Sequence, residues 1–466
     1  MRHKKHALVC AAGLWLTLLA GIADAQQRPD LNSLSVEDLA NVEVTSVSRK
    51  AQKLLDVPAA VFVITQDDIQ RSGATSIPEV LRIVPGLEVA RINGSEWAIS
   101  ARGFNRRYAN KLLVLIDGRT VYDTLNGGVF WNLQDMVLED IDRIEVIRGP
   151  GGTLWGANAA NGIINIITKH SVETQGNLLS AGHGTAEGSF LSARHGGSFW
   201  GSGNYRAYVK THDRAESVTE SGIARADGSD LVKVGTRADW STKSGNSFMA
   251  QADAYRAGSS GTTTLVDPSQ PFAGPRVGLS HYNGSSALLR WSSTQSKRSD
   301  TELQIFYDRN VVSEPQLGYR QSVLDVDFQH QFKFGPRSNL TWGAEYRGSR
   351  DHTSNTNLVA ISPANFSRTL VTAFAQEELQ LADKARMTVG SKFLYDKTYH
   401  LQLQPSLRLM YRPSKTQALW VAATDGVRTP SRFELDSTMH LASFRGANDR
   451  RVWSRSFRAA PSIPNA

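Results

Sequence analysis

The chain has one cysteine in 466 residues, Cys10, and it lies inside the first apolar run. Everything beyond that run is free of thiols, which excludes disulfides and thiolate metal sites there. Past the N-terminus no stretch reaches the ~18 apolar residues that a spanning helix needs, which excludes a helical inner-membrane protein. Nucleotide loops are missing too. The run from Gly149 to Gly156 lacks the third-glycine spacing of a dinucleotide loop, and Ala157-Asn158 stands where a phosphate loop needs Lys-Ser/Thr. There is no Gly-x-Ser-x-Gly elbow. The 11 histidines are dispersed with no His-x-x-x-His pair, so no metal site is expected. Glu139, Asp140 and Asp142 lie close together, but they read as partners of Arg143 and Arg148. Neither an enzyme nor a cofactor is expected.

What is present is glycine, 38 residues of it, with 40% hydrophobic and 21% charged residues. That balance excludes wholesale disorder and suits strands and turns. The formal charge is +8, about +6 once the leader is removed. The charges are scattered and the chain is exported. Both facts argue against nucleic acid and for anionic lipid or an anionic ligand.

Residues 1–25 read as a signal peptide. Arg2, Lys4 and Lys5 precede an apolar run from Ala7 to Ile22, and Ala23-Asp24-Ala25 supplies a small-x-small cleavage site. Residues 26–50 form a polar leader that ends in Val42-Glu43-Val44-Thr45-Ser46-Val47-Ser48-Arg49, an alternating segment expected to be extended. It is either a strand awaiting a partner or the first strand of the next domain.

Residues 51–170 read as a compact α+β domain. Val57 to Ile64 is an expected strand. Thr65 caps a helix that Gly73 ends, and Ser76 with Glu79 makes a second capping box. Leu112–Ile116 is a buried strand, and Asp117-Gly118 is a two-residue hairpin turn. Ile144–Ile147 and Ile163–Ile167 are two further strands.

From 171 the texture changes. Leu303, Ile305 and Tyr307 alternate with Gln304, Phe306 and Asp308, and the same period recurs along Val326–Phe334 and Leu401–Tyr411. Strands of about 9 to 13 residues with one apolar and one polar face are the pattern of a membrane barrel. Matching that period gives roughly 13 strands up to Val427. Residues 436–466 lack the pattern and are expected to be an atypical, frame-shifted and disordered tail.

Four blocks carry a resemblance: Glu43–Arg49; Pro58–Ile69 with Val80–Gly86; Arg102-Gly103-Phe104 to Asp117-Gly118; and Ile144–Thr168. The most specific part is Arg143-Ile144-Glu145-Val146-Ile147-Arg148-Gly149-Pro150, followed by Gly156, Asn158 and Gly162. These blocks resemble the plug domain of TonB-dependent outer-membrane receptors. Asp425–Ser431 is similar to a segment inside the barrel of that family.

The resemblance implies an α+β plug domain (51–170) followed by an antiparallel transmembrane β-barrel (171–435) in the bacterial outer membrane. It implies a barrel of roughly 22 strands. The 296 residues from 171 onward supply only about 12 to 15 at the usual length per strand, so a truncated barrel is expected. It further implies uptake of a scarce ligand, a metal chelate such as an iron siderophore, or cobalamin. The inner-membrane motor of TonB with ExbB and ExbD would supply the energy. Glu43, Val44, Thr45, Ser46, Val47 and Ser48 would be the coupling box, with Ser46 departing from the common hydrophobic centre. Arg102, Arg143 and Arg148 would make wetted ion pairs with the barrel wall, and outer-membrane lipid would surround it. Asn93, Trp97, Tyr122, Phe130 and Trp131 would lie on loops that either face the ligand or pack against barrel loops. A passive pore and a soluble exported β-sandwich are the competing readings.

Overall fold

The computed structural model describes residues 43–47, 49–263, 276–296, 298–398, 400–414, 416–444 and 452–458. The signal peptide, the leader up to residue 42, Ser48 and residues 459–466 lie outside the described residues.

The first domain opens with β1 (Glu43–Val44) and β2 (Gln52–Lys53), then β3 (Val61–Thr65), α1 (Gln66–Ser72) and α2 (Ile77–Val80). It continues with β4 (Leu87–Arg91), β5 (Trp97–Ala101), β6 (Leu112–Ile116), β7 (Arg119–Thr120), β8 (Ile141–Arg148), α3 (Gly152–Trp155) and β9 (Gly162–Thr168). The central sheet runs β3-β8-β9-β6-β7, with β6 and β9 parallel. The apolar runs read from the sequence form its middle: all five residues of β6 are buried, and Ile144, Val146, Ile164 and Ile166 are fully so.

Local chemistry sets the ends. The Thr65 hydroxyl accepts from the Asp68 N–H at 3.2 Å while the Asp68 carboxylate accepts from the Thr65 N–H at 2.9 Å, and Gly73 closes α1 at φ +65°. Ser76 makes no cap hydrogen bond; the Glu79 carboxylate instead accepts from the N–H and hydroxyl of Thr75, one residue earlier than expected. Asp117 and Gly118 both have positive φ, +49° and +80°, which is the type I′ hairpin that the pair predicts.

The second part is a single 13-stranded antiparallel sheet. Its strands are β10 (Gly176–Gly184), β11 (Gly188–Phe199), β12 (Gly203–Arg214), β13 (Ser229–Ser241), β14 (Asn246–Thr263), β15 (Arg276–Ser296), β16 (Ser299–Ser313), β17 (Gly318–Gly335) and β18 (Ser338–Ser354). After β19 (Val359–Ile361) come β20 (Asn365–Ala382), β21 (Ala385–Asp396), β22 (His400–Tyr411) and β23 (Leu419–Thr424). Sequence neighbours pair throughout, and among the described residues the outermost strands β10 and β23 do not pair with each other.

The two faces differ as the alternation requires. Leu324, Tyr346, Phe393 and Leu403 are exposed on the outer face, where hydrocarbon would cover them. Gln321, Asp325, Glu345, Lys392 and Gln404 are buried on the inner face.

The two ends of the sheet also differ. One end has short turns, at 200–202, 242–245, 336–337 and 383–384. The other carries the connections 215–228, 314–317 and 355–364, of which the first and last are long. In outer-membrane barrels the short turns face the periplasm.

The tail departs from expectation. In place of disorder, α4 (Arg432–Asp436) is capped by Ser431, and β24 (Ser437–Phe444) pairs with β19 and with β25 (Val452–Arg458). This three-stranded sheet stands apart from the main one. A long-loop strand supplies β24 with the partner that sequence alternation alone did not reveal.

Candidate functional site

Two ends of the plug-like domain present sites of different kinds. At the short-turn end, residues 43–47 are folded into the domain. Glu43 and Val44 pair with Lys53 and Gln52, and Val44, Ser46 and Val47 are buried. The fully buried Glu145 carboxylate on β8 accepts from the Thr45 N–H at 2.9 Å and from the Ser46 N–H at 2.7 Å. The Thr45 hydroxyl donates to it at 3.2 Å and Arg143 Nε at 2.9 Å. Trp155 Nε1–H donates to the Ser46 carbonyl, and Asn165 donates to the Ser46 hydroxyl at 3.0 Å. Of the two readings of this segment, the first strand of the domain holds for Glu43 and Val44, and the residues after it turn under the grip of one carboxylate. Ser46, which breaks the hydrophobic pattern, takes part in three of these bonds, through its N–H, its carbonyl and its hydroxyl.

The next residues tie the domain to the wall. Arg49 pairs with Asp327 at 3.0 Å and lies over the Trp155 ring, and Lys50 pairs with Glu378 at 2.9 Å. Asp56 pairs with Arg412.

At the long-loop end, Arg107 bridges Glu96 and Glu314, each at 2.7 Å, and stacks on Tyr108. Asp227, from the 215–228 connection, accepts from the Gly94 N–H at 2.7 Å. Asp123 is buried and accepts from the Tyr319 hydroxyl at 3.0 Å; burial pushes its carboxyl up to about 6. Asp135 is buried as well. Burial opposes its ionisation, but Lys210 at 2.8 Å, together with His212 and Arg214, outweighs that and holds it well below the usual carboxylate range.

Three expectations are corrected. Arg102, Arg143 and Arg148 do not bind the wall: Arg102 donates to the Arg148 carbonyl, Arg148 to the Pro85 carbonyl, and Arg143 pairs with Asp142 and Glu145. The wall pairs use Arg49, Lys50, Arg107, Arg119, Asp135 and Asp140 instead, and several are buried and dry: Lys210 and Asp135 are each 5% exposed. Trp97, Phe130 and Trp131 are buried. Trp97 and Trp131 fill the plug core, and Phe130 packs between Tyr108 and Tyr282 of the wall, the second of its two expected alternatives, while also lining a cavity. Large rings on loops near a wall lose more water-exposed surface by packing than by waiting. Asn93 stays at the long-loop end, where its side-chain oxygen accepts from the Ser95 and Glu96 N–H groups, and Tyr122 is half-buried beside a cavity.

The motif glycines and asparagine have structural tasks. Gly149 sits at φ +138°, and its N–H donates to the Asn161 carbonyl. Pro150 offers its carbonyl to Arg408 at 3.5 Å. Asn158, at φ +72°, accepts from the Thr429 N–H at 3.0 Å while its own N–H donates to the Val427 carbonyl at 2.9 Å. Asp425–Ser431 is thus the lumenal segment that the resemblance suggests, and Asn158 is its partner.

A model of the TonB-dependent receptor plug domain matches residues 53–163, and a TonB-dependent receptor-like β-barrel model matches residues 158–461. The chain is similar to the vitamin B12 transporter of Vibrio vulnificus, 36% identical over 156 residues, covering 32% of this chain and 25% of that protein. It is 24% identical over 424 residues to the iron-regulated outer membrane virulence protein of Vibrio cholerae, covering 84% and 60%. Its fold resembles the ferric enterobactin receptor of Pseudomonas aeruginosa, with TM-score 0.67, 17% identity, and 86% of this chain on 66% of that one. The chain thus spans between a quarter and about two thirds of these relatives. Because the two family models together cover most of its length, the chain belongs to the TonB-dependent receptors of the bacterial outer membrane.

Proposed function

We propose that this receptor takes up a scarce ligand of the iron-siderophore or cobalamin type, driven by the inner-membrane proton gradient. Glu43 to Ser48 serve as the box that TonB, with ExbB and ExbD, engages by strand addition. Asn93 and Tyr122 lie on the ligand's side. The reading makes the chain a transport receptor and not an enzyme.

One observation carries it. The box folds at the short-turn end, under a single carboxylate, while the Arg107 and Asp227 contacts stand at the long-loop end. A passive pore has no use for a clasped segment at its periplasmic mouth. A soluble sandwich would bury the outer face that Leu324, Tyr346 and Leu403 leave exposed.

The test is accumulation of radiolabelled ferric siderophores and of cyanocobalamin in cells that lack other receptors, with and without a protonophore. Accumulation of one class that stops with the protonophore supports the reading. Accumulation indifferent to the protonophore would favour the pore.

A further inference from the structure

A cavity of about 130 Å³ lies between the plug and the wall. One row of the sheet forms a ledge along it. Lys233 on β13 pairs in register with Tyr255 on β14, Tyr255 with Gly284 on β15, Gly284 with Asn310 on β16, and Asn310 with Gln321 on β17. These four side chains line the cavity. Residues directly opposite one another share a face, so the row is continuous across five strands. Gly284 has no side chain, and the Tyr255 ring occupies the space a Cβ would take, with ring atoms from 2.3 Å. The Tyr255 hydroxyl can therefore reach Asn310 and donate to its side-chain oxygen at 3.0 Å, which leaves the Asn310 amide N–H groups for the cavity.

Two members of the row carry polar groups that the protein does not pair directly: an ammonium without an ion pair and an amide oxygen without a donor. Gln321 is 3% exposed, and its Oε1 accepts no hydrogen bond among the described residues. Lys233 is 4% exposed and makes no ion pair among the described residues; Asp253, which also lines the cavity, is engaged by Tyr208 and Ser286. A buried ammonium without an ion pair and a buried amide oxygen without a donor are costly unless something polar meets them. Lys233 lies four residues inside the long-loop end of β13 and Gln321 three inside that of β17, a depth of about 10 Å at strand rise and tilt.

We propose that this ledge is a lumenal binding site for a small oxyanion, a carboxylate or a phosphate, carried by the ligand on its way past the plug. Lys233 supplies the charge, Asn310 and the Gln321 amide donate to the anion's oxygens, and Gln321 Oε1 takes a hydroxyl or amide proton beside them. The site rests on the transport reading but is tested apart from it, since binding to the ledge needs neither motor nor uptake.

The test is acetylation of lysines in the purified full chain, read by peptide mass spectrometry, with citrate or inorganic phosphate as the probe. Lys243, exposed in a short turn, is the control. The expected result is that at least one probe slows acetylation of Lys233 severalfold while Lys243 is untouched, and that Gln321→Leu removes the protection. If Gln321→Leu fails to fold, Asn310→Ala serves the same purpose. Protection by phosphate alone points to a phosphate-bearing ligand, and protection by citrate alone to a carboxylate chelate. Protection by neither, equal slowing at both lysines, or full protection in the variants would overturn the assignment, as would a Lys233 that does not react at all.

Discussion

The carboxylate of Glu145 accepts the backbone N–H of Ser46 at 2.7 Å from 99 positions along the chain. With Thr45 bonded to the same group, this one side chain holds the segment down at two successive residues. Glu145→Gln removes the charge but keeps the shape. Hydrogen bonds to charged groups are worth about 1.5–3 kcal/mol, so amide exchange at Thr45 and Ser46 should speed by at least tenfold. Exchange unchanged from the parent would show that strand pairing with Gln52 and Lys53 holds the box by itself.

Acid and base act on two buried plug carboxyls in opposite directions. Asp123 is raised to about 6, so the folded state keeps a proton that the unfolded chain has released. Stability is therefore lost as the pH rises from about 4 through 6. Asp123→Asn should abolish that slope and add on the order of 2 kcal/mol at neutral pH. Asp135 is lowered, so its contribution is present above about 4 and is lost as the pH falls below that value. Thermal melts of the two variants across that range separate the slopes.

Removing one side of a dry ion pair strands the other. Asp135→Ala leaves Lys210 and His212 buried without their carboxylate. The expected cost is about 3–5 kcal/mol, well above that of a surface pair. Asp67→Ala, which breaks the exposed pair with Arg71, should cost about 0.5 kcal/mol at most and provides the reference in denaturant titrations.

The motif glycines should not behave alike. A Cβ on Gly162 would lie 2.6 Å from the Ile147 carbonyl oxygen, where β9 threads between β8 and β6, so Gly162→Ala should cost about 1–3 kcal/mol through displaced backbone. Gly103 has open space around it at φ +84°. Gly103→Ala should cost only the left-handed strain, about 1 kcal/mol.

Asn158 combines both effects. Asn158→Gly loses the bonds to Thr429 but accepts φ +72°, whereas Asn158→Ala also strains the backbone. The alanine variant should be the less stable by about 1 kcal/mol. Proteolysis within 425–431 should increase in both.

The elements of the plug core, the alternation of the wall and even its strand count were legible in the sequence. Apolar runs such as Leu112–Ile116 and period-2 stretches such as Leu401–Tyr411 each carry their own evidence. The contacts between the two parts were not. Asp135 is visible as an acid among Leu133, Met136 and Val137, but nothing local says that its partner is Lys210, 75 positions on. Arg143 and Arg148 stand in the most recognisable block and so drew the wall contacts in the sequence reading. The wall contacts belong to plainer neighbours such as Arg49 and Arg119. The clasp on residues 43–47 joins positions about 100 apart, beyond any pattern of spacing.

The order of ties along residues 43–56 has a mechanical consequence. Tension applied at Glu43 loads the Thr45 and Ser46 bonds first, then Arg49 with Asp327, then Lys50 with Glu378, then Asp56 with Arg412. Contacts arranged in series along the pull give way one after another, as adhesive tape peels. The peak force is then set by the strongest single tie, and the total work is spread over distance. The Arg107 bridge stands at the far end, outside this row of ties. A short, weak tug therefore frees only the segment, and the body of the plug yields only to a long one.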